Sequence, residues 1–111
     1  MNSNEQLPPT AAPSRPPERA APRIHGPFPA RVRGVDERGA RFRGEAALDE
    51  LSAGDFTLRL PHATAAGHRL FVVIRLCRAL VALRGVVLSA EPEPRGGFSL
   101  NVSVTRYRFL S

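Results

Sequence analysis

From Phe28 onward, apolar and polar residues alternate with a period of two, the repeat of a half-buried β-strand. Arg31-Val32-Arg33 and Arg41-Phe42-Arg43 alternate on either side of Asp36-Glu37-Arg38-Gly39, which reads as a hairpin turn. Phe56, Leu58 and Leu60 share one face, Thr57 and Arg59 the other, and Pro61 ends that strand. Ala65-Ala66-Gly67 makes a turn before His68 to Leu76. In that run Leu70, Val72, Ile74 and Leu76 lie on one face and Phe71 and Val73 on the other, which predicts a strand covered on both sides. Cys77 to Leu83 admits three readings: a connection, one helical turn or continued strand. Arg84 to Ala90 reads as a strand with Val86, Leu88 and Ala90 on one face, and Glu91 to Gly97 as a long hairpin tip. The cleanest alternation comes last, with Phe98, Leu100, Val102 and Val104 inward and Ser99, Asn101, Ser103 and Thr105 outward. Arg106-Tyr107-Arg108-Phe109-Leu110 closes the chain.

About six short strands, regular turn signals and no helical period predict an all-β fold. So many strand edges in so short a chain favour closure into a small six-stranded antiparallel β-barrel. The expected division is an arm at 1–27 and a barrel domain at 28–111. The arm contains most of the eleven prolines and almost no large apolar residues. It cannot bury enough surface to offset its ordering entropy, so it is expected to be disordered.

Composition narrows the chemistry. One cysteine, Cys77, excludes an intrachain disulfide and fits a cytoplasmic location. Following an apolar strand, it is expected to be a small buried hydrophobe. The N-terminus lacks a basic region followed by an apolar stretch, so no secretory signal is expected. No apolar run reaches the roughly 18–20 residues of a membrane span. The net charge is +6, and all 16 basic residues are arginine. That balance favours anionic partners, and a solubilising surface explains it equally well.

His25, His62 and His68 lack ligand spacing, so no metal or cofactor is expected. Ser52 has no nucleophile elbow around it, and no acid/base pair stands out, so an enzyme is the least supported class. Arg106-Tyr107-Arg108-Phe109 suits base stacking, but edge packing is the preferred reading.

The overall layout resembles the PilZ domain, a small six-stranded barrel that serves bacteria as a receptor module for cyclic di-GMP. The similarity runs roughly from Arg19 to Leu110. It includes an arginine arm, the charged hairpin, the turn at Ser52, the strand after Ala65-Ala66-Gly67, and the late hairpin ending in Phe98-Ser99-Leu100-Asn101-Val102. The family's first ligand motif is RxxxR. Arg19-Ala20-Ala21-Pro22-Arg23 has this spacing and sits next to the first strand, and Arg15 to Arg19 has it as well. The second motif is Asp or Asn, one residue, Ser, two residues, Gly. Aligned on Ser52, the chain has Glu50 in the first place and Asp55 in the last. An alternative alignment on Asp49 and Gly54 is off by one position, which in a regular strand turns each side chain to the opposite face.

The resemblance implies a ligand set of Arg19, Arg23, Glu50, Ser52 and Asp55. Arginine forks match the O6 and N7 acceptors of guanine, stack on bases and neutralise phosphates. Glu50 keeps a carboxylate at one methylene more reach. Asp55 adds a negative charge near an anionic ligand, and the turn is expected to survive it because Asp tolerates left-handed backbone. The expected function is thus a signalling module in a bacterial cyclic di-GMP pathway, binding the nucleotide weakly as a regulatory ligand. The alternative is a PilZ-like barrel that no longer binds nucleotide and acts as an adaptor for a protein effector. A basic barrel binding nucleic acid ranks third.

Overall fold

The computed structural model describes residues 22–110. Six strands follow one another: β1 (Ile24–Val35), β2 (Arg41–Leu51), β3 (Asp55–Leu60), β4 (Arg69–Leu76), β5 (Ala79–Pro92) and β6 (Phe98–Phe109). Every pairing is antiparallel, and the ring runs β1-β2-β3-β6-β5-β4 and back to β1, a closed barrel. No helix occurs among the described residues, so none is long and apolar enough to cross a membrane. The expected all-β barrel is what the chain forms. β1 opens at Ile24, inside the stretch that the sequence assigns to the arm, because Ile24 and His25 pair with Leu51 and Glu50. Proline-rich composition hides this start, since the pairing partners lie 25 and 27 residues away in sequence.

Alternation sorts the side chains. Ala30, Val32, Leu48, Phe56, Leu58, Leu70, Val72, Ile74, Leu100 and Val102 are among those pointing into one continuous core. Phe56, Leu58 and Val72 lose all solvent contact. The outer side of β4 is covered as well, though not by a second layer: the Arg33 and Arg84 guanidinium carbons lie 4.6 Å and 4.9 Å from the Phe71 ring centre.

Two bulges interrupt the β5–β6 ladder, at Arg84/Gly85 and at Val87/Ser89. They explain the one phase error in the sequence reading. Val87 is 1% exposed and Leu88 52%, so the inward face before the second bulge is the one opposite Leu88. The bulge then shifts the phase, and Ala90 packs against the core again. Cys77 to Leu83 resolves into a two-residue turn, Cys77-Arg78, followed by the start of β5. Cys77 is exposed and left-handed, with φ of 55°, rather than buried, because the tight β4–β5 hairpin projects it from the barrel end. Tyr107 and Phe109 are also exposed, at 59% and 64%, in edge-to-face contact with each other at 6.2 Å. The expected edge packing fails because β3 pairs β6 only as far as Ser103, leaving the rest of β6 beyond β3.

Gly85 on β5 lies tight against β6 and the core. A Cβ there would meet Val102 Cγ1 at 2.5 Å and the Ser103 carbonyl at 2.6 Å. The missing side chain also leaves room for the Phe56 ring, whose Cε2 is 3.5 Å from that position. Gly85→Ala is therefore expected to destabilise the barrel by about 1–3 kcal/mol, since backbone on β6 must yield. Urea denaturation of the variant beside the wild type measures this, and an unchanged midpoint contradicts the close packing.

The β1–β2 turn offers a second check. Asp36 Oδ1 accepts hydrogen bonds from the Arg38 and Ala40 amides, both at 2.9 Å. The Ala40 bond is the main reason that the Asp36 carboxyl titrates below its ordinary value of 3.8. A lowered folded-state pKa means the stabilisation is present above the ordinary value and lost as pH falls through the folded one. Asp36→Ala is expected to lower the thermal midpoint at pH 7, with the gap to wild type closing in acid below that value. A gap that stays constant into acid argues against the carboxylate's role.

Candidate functional site

Antiparallel order gathers the start of β1, the β2–β3 turn, the β4–β5 turn and the end of β6 at one end of the barrel. The Ser52 turn is a local hydrogen-bond knot. The Ser52 amide donates to the Asp55 carbonyl at 2.9 Å. The Ser52 hydroxyl oxygen accepts from the Gly54 and Asp55 amides, each at 3.2 Å. Its single proton has two acceptors within reach, Asp55 Oδ1 at 3.1 Å and the Asp55 carbonyl at 3.3 Å. A serine hydroxyl offers one donor and two acceptor positions. The turn therefore engages all of them, which makes Ser52 first a turn-former.

Two carboxylates flank this turn. Glu50 precedes it at the end of β2 and Asp55 follows it at the start of β3. Arg23 reaches both: its Nη1 lies 3.2 Å from Asp55 Oδ1 and 3.5 Å from Glu50 Oε1. His25 Nδ1 is 3.3 Å from Glu50 Oε2. The pairs are partly exposed, with Asp55 the most covered at 26%. One guanidinium is thus shared by two carboxylates, so the unliganded cluster has no surplus positive charge, and a protonated His25 would only bring it to neutrality.

Of the residues the sequence singles out, Arg23, Glu50, Ser52 and Asp55 come together, across 32 positions of chain between Arg23 and Asp55. Arg19 and Arg15 lie outside the described residues. The choice between Glu50 and Asp49 is resolved by a bulge. The β2–β3 register slips between Leu48 and Glu50, so Leu48 and Leu51 both face the core and Asp49 and Glu50 both stay outside. Asp49 is then held by a fork from Arg59, with Nε and Nη2 donating at 2.7 Å and 2.9 Å. This fork raises the Arg59 pKa above its ordinary value. The slip of one position thus does not put Asp49 and Glu50 on opposite faces, as it would in a regular strand, because the bulge absorbs the extra residue.

The turn also needs no left-handed residue. Neither Gly54 nor Asp55 has positive φ, so the reason given for Asp55 being tolerated is corrected: its backbone is ordinary strand. A Cβ at Gly54 would meet open space.

The remaining candidates separate. His62 stacks on Phe42 with ring centres 4.4 Å apart, and His68 Nδ1 lies 3.3 Å from the Val35 carbonyl. No group of three metal-ligating side chains occurs among the described residues. A feature that the strand reading misses lies on the barrel wall, where Arg33, Arg43, Arg69 and Arg84 line an open groove of about 840 Å³. Alternation signalled that each arginine faces outward, but not which strands lie side by side.

Comparison with known proteins is informative at the level of fold. No protein-family model and no curated protein matches the sequence. Among solved structures, the chain is similar to the Bacillus subtilis inhibitor of motility, MotI/DgrA, with a TM-score of 0.60 and 16% identity. The match covers 80% of this chain and 43% of that one, so this chain spans less than half of its neighbour's length. The likeness supports a PilZ-like fold.

Ser52→Ala is expected to destabilise the protein by about 1 kcal/mol, because two turn amides lose their acceptor. Chemical denaturation measures it, and a neutral substitution removes the turn-former role.

Proposed function

We propose that the protein is a PilZ-like signalling module that binds cyclic di-GMP weakly, through an arginine arm closing on the Ser52 turn. The observation that supports this most is the approach of Arg23 to Glu50 and Asp55 at the lip of that turn. The arm and turn, distant in sequence, meet where the resemblance to the PilZ family expects a ligand.

The same contacts explain why binding is weak. The Arg23 guanidinium must leave two carboxylates before it can receive a phosphate or a guanine edge. Asp55 would then stand unpaired near an anionic ligand. At ~4 Å such repulsion is about 1 kcal/mol in water and about 4 kcal/mol at an effective dielectric of 20. Glu50 has a constructive role, because its carboxylate can accept guanine N–H donors once Arg23 moves. Arg19 is proposed to join from the arm.

The carboxylate pairing of Arg23 also favours a second reading. Asp55 and Glu50 hold the arm in place of a ligand, and the barrel then acts as an adaptor for a protein effector without nucleotide. In neither reading is there a catalytic step or a resident cofactor.

Calorimetric titration with cyclic di-GMP separates the two. The receptor reading expects weak, saturable heat from the wild type, about tenfold tighter binding by Asp55→Gly, and loss of binding by Arg23→Ala. Absence of heat from both the wild type and Asp55→Gly overturns it and leaves the adaptor.

A further inference from the structure

The outer wall of the barrel carries a row of cross-strand neighbours that the Ser52 site does not use. Arg43 on β2 is opposite Arg33 on β1, Arg33 is opposite Phe71 on β4, Phe71 is opposite Arg84 on β5, and Arg84 is opposite Arg106 on β6. Four arginines and one aromatic ring therefore cross five strands in a line. Arg31 extends the wall on one side, with Glu45 as its partner across the ladder, and Arg41 and Arg69 extend it on the other. Two adjoining grooves share Arg33, Arg43 and Phe71, forming one trough.

The fold gains from the stacking of Arg33 and Arg84 on Phe71, but the arginine-on-arginine pairs of the row work against it. Like charges directly opposite each other on a sheet are destabilising, and Arg33/Arg43 and Arg84/Arg106 are both such pairs. Among the described residues, arginine ion pairs are confined to Arg23 and Arg59, so none of the row pairs with a described carboxylate. Phe71 fixes two of the guanidinium groups over its ring, at 4.6 Å and 4.9 Å. That contact reduces the rotamer freedom each would lose on meeting an anion.

We propose that this trough binds the phosphodiester backbone of a single-stranded nucleic acid. Guanidinium forks match phosphate oxygens, and the row supplies them at strand-to-strand spacing. Phe71 is already engaged by arginine, so recognition is through the backbone and independent of base sequence. An acidic peptide fits less well. Extended peptides commonly dock by adding to a free strand edge, and β1, β4 and β5 are each paired on both sides here. The ligand must therefore present its charge without backbone pairing, as a phosphodiester chain does. This site is separate from the Ser52 turn and does not rest on the nucleotide-receptor reading.

Fluorescence anisotropy with the full chain and a labelled oligothymidylate tests it. Neutralising four phosphates predicts a loss of about fifty-fold in affinity between about 50 and about 200 mM salt. The double variant Arg33→Gln/Arg84→Gln is expected to weaken binding at least about tenfold, as two phosphate contacts are removed. Arg15→Gln/Arg19→Gln/Arg23→Gln, which disarms the arm, is expected to retain most of the affinity. Amide shift mapping by NMR is expected to centre on Arg33, Arg43, Phe71 and Arg84, which locates the site even if a variant folds poorly. No binding at low salt, full binding by the wall variant, shifts confined to the arm, or equal affinity for a polyglutamate peptide of the same charge each overturns the proposal.

Discussion

Closure of the barrel depends on β1 pairing with β2 along one side and with β4 along the other. Without the second pairing the six strands would form an open sheet with two exposed edges, a template for aggregation. With it, each strand's two faces become inside and outside. Apolar residues at alternate positions then converge on one core, and the polar residues between them are brought into register around the wall. Both candidate sites follow from this single constraint, the Ser52 cluster at the barrel end and the arginine row on its side.

Irregularities in the ladders are where that constraint is adjusted for chemistry. The bulge at Asp49 lets Leu48 and Leu51 both reach the core and separates two neighbouring carboxylates into different pairings, Asp49 with Arg59 and Glu50 with Arg23. The bulges in β5 accommodate Gly85 beside Phe56 and change the phase between Val87 and Ala90. A strictly regular barrel would have placed either Asp49 or Glu50 in the core, where an unpaired carboxylate is strongly unfavourable.

The Ser52 turn shows how one residue carries two roles in conflict. Its hydroxyl closes the turn by binding three local groups, while the same position suits a ligand hydroxyl contact. Asp55 sharpens the conflict, because it completes the turn's hydrogen bonds and also attracts Arg23. The net effect is a site in which the protein's own carboxylates occupy the group that would receive an anion. In the proposed receptor reading, binding there is a competition between internal and external partners, and Asp55 sets its balance.

Sequence alone determined the all-β class, most of the core and the phase of β1, β3, β4 and β6, because period-two patterning is a local property. It also pointed to Arg23, Glu50, Ser52 and Asp55 as a group, through spacing and resemblance. What it did not determine is long-range pairing and ladder slippage. The exposure of Cys77 and Leu88, the separation of Asp49 from Glu50, and the capture of Arg23 by Asp55 each depend on a bulge, a tight turn or a partner far along the chain. The alignment of Arg43, Arg33, Phe71, Arg84 and Arg106 is the clearest case. These residues are spread from 33 to 106, and only the strand order β2-β1-β4-β5-β6 makes them neighbours.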